Sequence, residues 1–123
     1  MRLKSHKDLI VFKSAIKLAV RIHELSKNFP PEEKYSLTDQ LRRSSRSVAA
    51  NIAEAFRKRR YPKSFISKLS DSEGEAAETQ VWLYFVGTFG YLDSSVFEDL
   101  DDQYEHLLAQ LVTMIQSPEK WSM

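Results

Sequence analysis

Residues 36–63 carry eight basic side chains, Arg42, Arg43, Arg46, Arg57, Lys58, Arg59, Arg60 and Lys63, against two acids, Asp39 and Glu54. The planar fork of arginine matches phosphate oxygens two at a time. A face bearing several such groups suits a nucleic-acid backbone, and its affinity falls steeply as salt rises. Helical spacing puts Arg42, Arg43, Arg46, Arg57 and Lys58 on one broad face, with Arg59, Arg60, Tyr61 and Lys63 just beyond. The same charges also have a purely structural use. Bases at 57–60 complement the negative end of their own helix, and acids elsewhere in the chain need partners. A nucleic-acid face and a charge-paired scaffold face are both open on this pattern.

Other chemistry is poorly supported. Asp102 and His106 stand one helical turn apart, but two ligands do not make a metal site, and the pair reads as an exposed ion pair. His6 and His23 are single. The Glu-x-x-His pairs of di-iron bundles are absent from the sequence, so no metal is expected. Ser44, Ser45 and Ser47 have neither a nearby histidine nor flanking elbow glycines and read as small packing residues. Glu75 and Glu78 share a helix face and could exchange protons, as any two neighbouring glutamates could. No phosphate-cradling or zinc-protease motif occurs. The sequence therefore points to a non-enzyme without catalytic residues, cofactor or small-molecule substrate. Asn51 and Glu54 lie in an alanine-rich stretch. A buried amide left unmet costs about 1–3 kcal/mol, so Asn51 is expected to fix helix register or bond across a subunit boundary. With Leu9, Phe12, Ile16 and Trp82, these two are the structural and interface candidates.

The elements that must position these residues are helical. The chain has 123 residues, one domain by size and enough for a core without staples. Lack of cysteine fits a reducing cytoplasm. The opening residues hold no secretory apolar run, and the charge-free stretch 81–92 is too short to span a bilayer, so no membrane partner is expected. Charge is polarised: residues 1–63 carry a net +10 and residues 64–123 a net −9. Apolar periodicity predicts helices over about 7–27, 36–59, 62–89 and 94–117, opened by Ser5 with Asp8, Ser36 with Asp39, Pro62, and Asp93 or a Ser95–Glu98 box. Gly90 is the expected C-terminal cap of the third. Four such helices with short joints predict an all-α, antiparallel up-down-up-down four-helix bundle. The first helix has two apolar stripes, Leu9, Phe12, Ile16, Ala19 and Val11, Ala15, Leu18, Ile22, Leu25. One suffices for a core, so the other predicts a subunit interface.

Leu37-Thr38-Asp39-Gln40-Leu41-Arg42-Arg43-Ser44-Ser45, Ser47-Val48 and Asn51-Ile52-Ala53-Glu54 resemble the hallmark of the bacterial four-helix-bundle proteins related to those encoded in intervening sequences of 23S ribosomal RNA genes. Residues 7–13, Phe65-x-x-Lys68-Leu69, Glu75-Ala76-x-Glu78-Thr79, Trp82-Leu83 and Gly90-Tyr91-Leu92 extend the resemblance over about residues 5–115. It implies a bundle assembling as a homopentameric ring, no established activity, and RNA or DNA as the ligand class proposed for such proteins. One departure bears on the structure. The family commonly has glycine after Asn-Ile-Ala-Glu, and Ala55 here turns an expected helix break into a possible continuation through Phe56 to Arg60.

Overall fold

The computed structural model describes residues 3–121. Four long helices, α1 (Ile10–Ser26), α2 (Leu37–Arg57), α3 (Pro62–Thr88) and α4 (Ser94–Gln116), account for most of the chain, with single 3₁₀ turns at His6–Asp8, Pro31–Glu33 and Pro118–Lys120. No strand occurs among the described residues. All four helices feed one apolar cluster.

The first start signal is real but serves a different element. Ser5 Oγ accepts from the Lys7 N–H, and Asp8 Oδ2 accepts from the Ser5 N–H, a closed capping box. It encloses the three-residue turn at His6–Asp8. Leu9 then turns extended (φ −70°, ψ 129°) and buries its side chain, so α1 begins at Ile10 rather than near Lys7. The Ser36–Asp39 cap does not form. Ser36 Oγ donates instead to Glu33 Oε1 at 2.8 Å, because the Pro31–Glu33 turn brings that carboxylate within reach first. Nor does the Ser95–Glu98 box: α4 opens at Ser94 behind Asp93, which makes no side-chain cap bond.

Val11, Ala15, Leu18 and Ile22 of α1 form its core stripe. The second stripe lies outside: Phe12 and Ala19 are half-covered, Ile16 is 41% exposed, and Val20 beside them is 56% exposed. On α2, Leu37, Leu41, Val48, Ile52 and Phe56 are buried. Ala55 is buried too, and the helix runs through it to Arg57, so the chain takes the continuation.

α2 and α3 meet along a seam of small residues. Thr79 Oγ1 lies 2.8 Å from Ser44 Oγ, and Ser72 Oγ donates to the Val48 carbonyl at 2.9 Å. Lower down, Lys68 reaches Glu54 at 2.7 Å. Numbers fall along α3 as they rise along α2. Small side chains let the two backbones come close, and the hydroxyls of Ser44, Ser72 and Thr79 are each bonded, whereas Thr38 Oγ1 on α2 and Trp82 Nε1 on α3 are buried without a partner among the described residues.

Of the apolar residues of α3 and its C-cap, Phe65, Leu69, Ala76, Leu83 and Val86 are buried, whereas Val81, Phe85 and Phe89 stay exposed. Gly90 (φ +76°) ends the helix: its N–H bonds to the Gly87 carbonyl and the Tyr91 N–H to the Val86 carbonyl. This paired closure of orphan carbonyls needs the left-handed conformation that glycine adopts freely. Gly87 is constrained by space instead, since a Cβ there would stand 3.2 Å from the Phe97 ring.

Candidate nucleic-acid interface

The eight bases of the central stretch differ in what they touch. Their surroundings divide them into three groups. Arg42 leans onto the end of α1, where its Nε donates to Ser26 Oγ at 2.7 Å and its Nη2 to the His23 carbonyl at 3.5 Å. The last carbonyls of a helix have no partner within it, so a guanidinium there meets both the orphan acceptors and the negative helix end. Arg46 joins it, with Nη2 3.2 Å from His23 Nδ1. Because arginine only donates, that contact requires a neutral imidazole with its proton on Nε2.

Arg43 turns the other way, onto α3. Its guanidinium reaches Glu78 at 2.7 Å and Glu75 at 3.4 Å, and also faces Gln40. The Glu78 hydrogen bond raises the guanidinium above its ordinary pKa. Glu75 is raised as well, by desolvation and by a hydrogen bond shared with Glu78, which outweigh the opposing charge of Arg43. Two acids crowd one base here. Arg43 is therefore occupied within the monomer and is a weak candidate for phosphate.

The third group is at the turn from α2 to α3. Arg59 stacks over the Phe56 ring, 3.7 Å from its centroid, and donates to the Phe56 carbonyl at 2.8 Å, closing the end of α2. Arg57, Lys58, Arg60 and Lys63 are exposed and make no ion pair with any described residue. Further bases gather at the same end. The close of α1 meets the opening of α2 through His23 and Arg42, so the opening of α1, with Lys4 and Lys7 just before it, lies beside the close of α2; the His6–Asp8 turn packs on α2. Lys13 and Lys120 line a common groove there. Sequence reasoning left out these four lysines. The signal that could have found them is connectivity, since the His6–Asp8 turn packs on α2 and the Pro118–Lys120 turn on α3.

The structural candidates separate similarly. Asn51 is half-buried, and its Nδ2 donates to the Ser47 carbonyl at 2.9 Å, inside its own helix rather than across to another element. Glu54 pairs with Lys68, whose hydrogen bond lowers the carboxyl below its ordinary range. Leu9 is core. Phe12 lies half-covered with the His6 ring edge-on at 5.0 Å. Trp82 begins a run of aromatic contacts through Phe85, Phe89 and Tyr91 to Phe29. Tyr91 donates to Glu33 at 2.9 Å, and this aromatic end carries the acids Glu24, Glu32 and Glu33.

Asp102 and His106 line a shallow hollow with Ser14 and Gln103 but form no ion pair, contrary to the sequence expectation. No group of three metal-binding side chains occurs among the described residues. No described helix is long and apolar enough to cross a membrane.

A family model described as 23S rRNA-intervening sequence protein matches residues 7–113. The chain belongs to that family. A solved structure from Bacteroides thetaiotaomicron, described as a protein of unknown function from the S23 ribosomal protein family, is similar to it at 30% identity and a TM-score of 0.79, covering 87% of this chain and 96% of its own. Comparison with curated proteins gives no match. All eight bases of the central stretch fall inside the span matched by the 23S rRNA-intervening sequence family, whereas Leu3, Lys4, Lys120 and Trp121 fall outside it.

Proposed function

We propose that this family member is a non-enzymatic, cytoplasmic nucleic-acid-binding protein that holds phosphate backbones at its α2–α3 turn. The observation that carries the reading is the contrast between Arg43, occupied by Glu75 and Glu78, and Arg57, Lys58, Arg60 and Lys63, which face solvent and make no ion pair among the described residues, Lys58 only adding its charge to the field that lowers Glu54. Structured RNA is the proposed ligand, and contacts confined to phosphates confer no base preference. The antiparallel up-down-up-down bundle is proposed to assemble as a homopentameric ring, as the resemblance implies. The uncovered stripe of Phe12, Ile16 and Val20 supports an interface there, and a ring repeats the basic turn five times.

The test is a binding titration on structured RNA and duplex DNA across a salt series. Replacing Arg57, Lys58, Arg60 and Lys63 by Ala should reduce the number of ions released on duplex DNA by about three to four per turn engaged, at about 0.9 per phosphate contact. Replacing Arg42, Arg43 and Arg46 should change the salt slope little. A wild-type protein indifferent to both polymers at low salt removes the reading. The second reading is a protein scaffold in which the basic end of one protomer meets the acidic, aromatic end of the next, favoured by the exposed Phe85 and Phe89 beside Glu32 and Glu33. On that reading the same quadruple substitution dissociates the oligomer in sedimentation.

A further inference from the structure

Between the opening of α1 and the close of α4 lies a groove of about 580 Å³, within the ordinary range for small-molecule sites. Its floor is Leu9, Val11 and Met114, all buried, and its walls are Leu3 and Trp121, both half-covered. Ile10, 71% exposed, forms the lip. Two cations, Lys13 and Lys120, stand at the rim. The one acid in the lining, Asp8, accepts from the backbone N–H groups of Lys4 and Ser5 at 2.9 and 3.1 Å, and those bonds, with a smaller contribution from the Lys13 and Lys4 charges, hold its carboxyl below the ordinary range. The lining thus carries one net positive charge. Gln110 also lines the groove, and its Oε1 is buried without a hydrogen-bond partner among the described residues; a carboxylate has no donor for it, so it takes no part in the binding.

We infer that this groove binds a linear, single-chain fatty carboxylate, its alkyl tail over Leu9, Met114 and Trp121 and its anionic head at Lys13 and Lys120. The argument is charge and apolar lining together. An apolar floor and walls receive an alkyl chain without demanding hydrogen bonds along it. Two ammonium groups at the rim match one carboxylate, which exchanges its hydration for charge-assisted hydrogen bonds. Both walls are supplied by residues outside the family match, at 3 and 121, and the lysines at its rim belong to the same basic end as the α2–α3 turn, so the fatty-acid titration is run without nucleic acid.

The test is calorimetric titration of the full chain with octanoate, decanoate and dodecanoate below their micelle concentrations. Trp121 emission is followed in a Trp82→Phe background. Saturable one-to-one binding is expected, with Kd falling about fourfold for each added methylene until the groove is full. Lys13→Gln with Lys120→Gln should weaken decanoate about tenfold while leaving decanol unchanged. Thr113→Trp, which fills the groove from its exposed wall, should abolish binding with the helical spectrum intact. Lack of saturation overturns the proposal, as does equal binding by the lysine double variant, which marks mere partition onto apolar surface. A change of oligomeric state in Thr113→Trp without any fatty-acid binding in the wild type also overturns it and assigns the groove to a contact between copies.

Discussion

Tyr104 offers a sharp test of the core. The ring lies wholly inside, at 0% exposure, on the inner face of α4. Its hydroxyl has no hydrogen-bond partner among the described residues, and burial pushes the phenol well above its ordinary pKa. A buried hydroxyl that gives up water without replacement costs about 1–3 kcal/mol. Tyr104→Phe removes that oxygen and keeps the ring, so the lost packing is one atom's worth. The variant should gain about 1 kcal/mol of unfolding free energy, raising Tm by roughly 3–6 °C for a chain of this size. Tyr104→Ala, by contrast, deletes the ring and should lose about 3–5 kcal/mol. Urea unfolding followed by circular dichroism measures both, with protein concentration held fixed because any oligomer makes stability concentration-dependent. The urea slope should not change, since the area exposed on unfolding is nearly the same. A loss of 1 kcal/mol or more in Tyr104→Phe would refute the reasoning, because it means the hydroxyl is bonded in the native core.

Three further outcomes follow from the fold. Gly90→Ala should lose about 1–2 kcal/mol, read from thermal unfolding, since an L side chain is strained at φ +76°; an unchanged Tm would contradict the cap. Ala76→Leu forces bulk into the closed α2–α3 seam and should lose about 1–3 kcal/mol, whereas the same change at exposed Ala77 should be nearly silent. Lys68→Met should destabilise in a pH-dependent way. Glu54 is lowered by Lys68, so its share is present above the ordinary carboxyl value of 4.5 and is lost as pH falls through the lower folded value. Lys68 is raised by Glu54, so its share is present below 10.5 and is lost as pH rises through the higher folded value. The gap between variant and wild type should therefore be constant near neutrality and close at both extremes; a gap that persists at pH 2 would show that Lys68 acts through packing.

What could be read from the sequence follows the range of the interactions concerned. The stripe from Leu37 to Phe56 was legible because a 3.6-residue period leaves its mark on consecutive turns of one helix. Pro62 and Gly90 were legible because each acts through its own backbone. The caps were only half legible. Ser5-x-x-Asp8 and Ser36-x-x-Asp39 read alike, yet one closes and the other yields to Glu33, a competitor placed by the preceding turn. The partners of the basic residues were hidden for a related reason. Arg43 finds its acids 32 and 35 positions away, a distance across which no periodicity speaks. The seam of Ser44, Ser72 and Thr79 was visible on the α2 side as small residues, but its hydroxyl pairing needs both helices in place.

The close contact at Gly87 ties two positions together in inheritance. A Cβ at 87 would stand 3.2 Å from the Phe97 ring, so that ring must give by a few tenths of an ångström before alanine fits. A lineage that trades Gly87 for alanine therefore presses on Phe97, and one that trims Phe97 removes the ring against which Tyr84 leans edge-on. Descendants of this chain should keep or lose that pair as a unit.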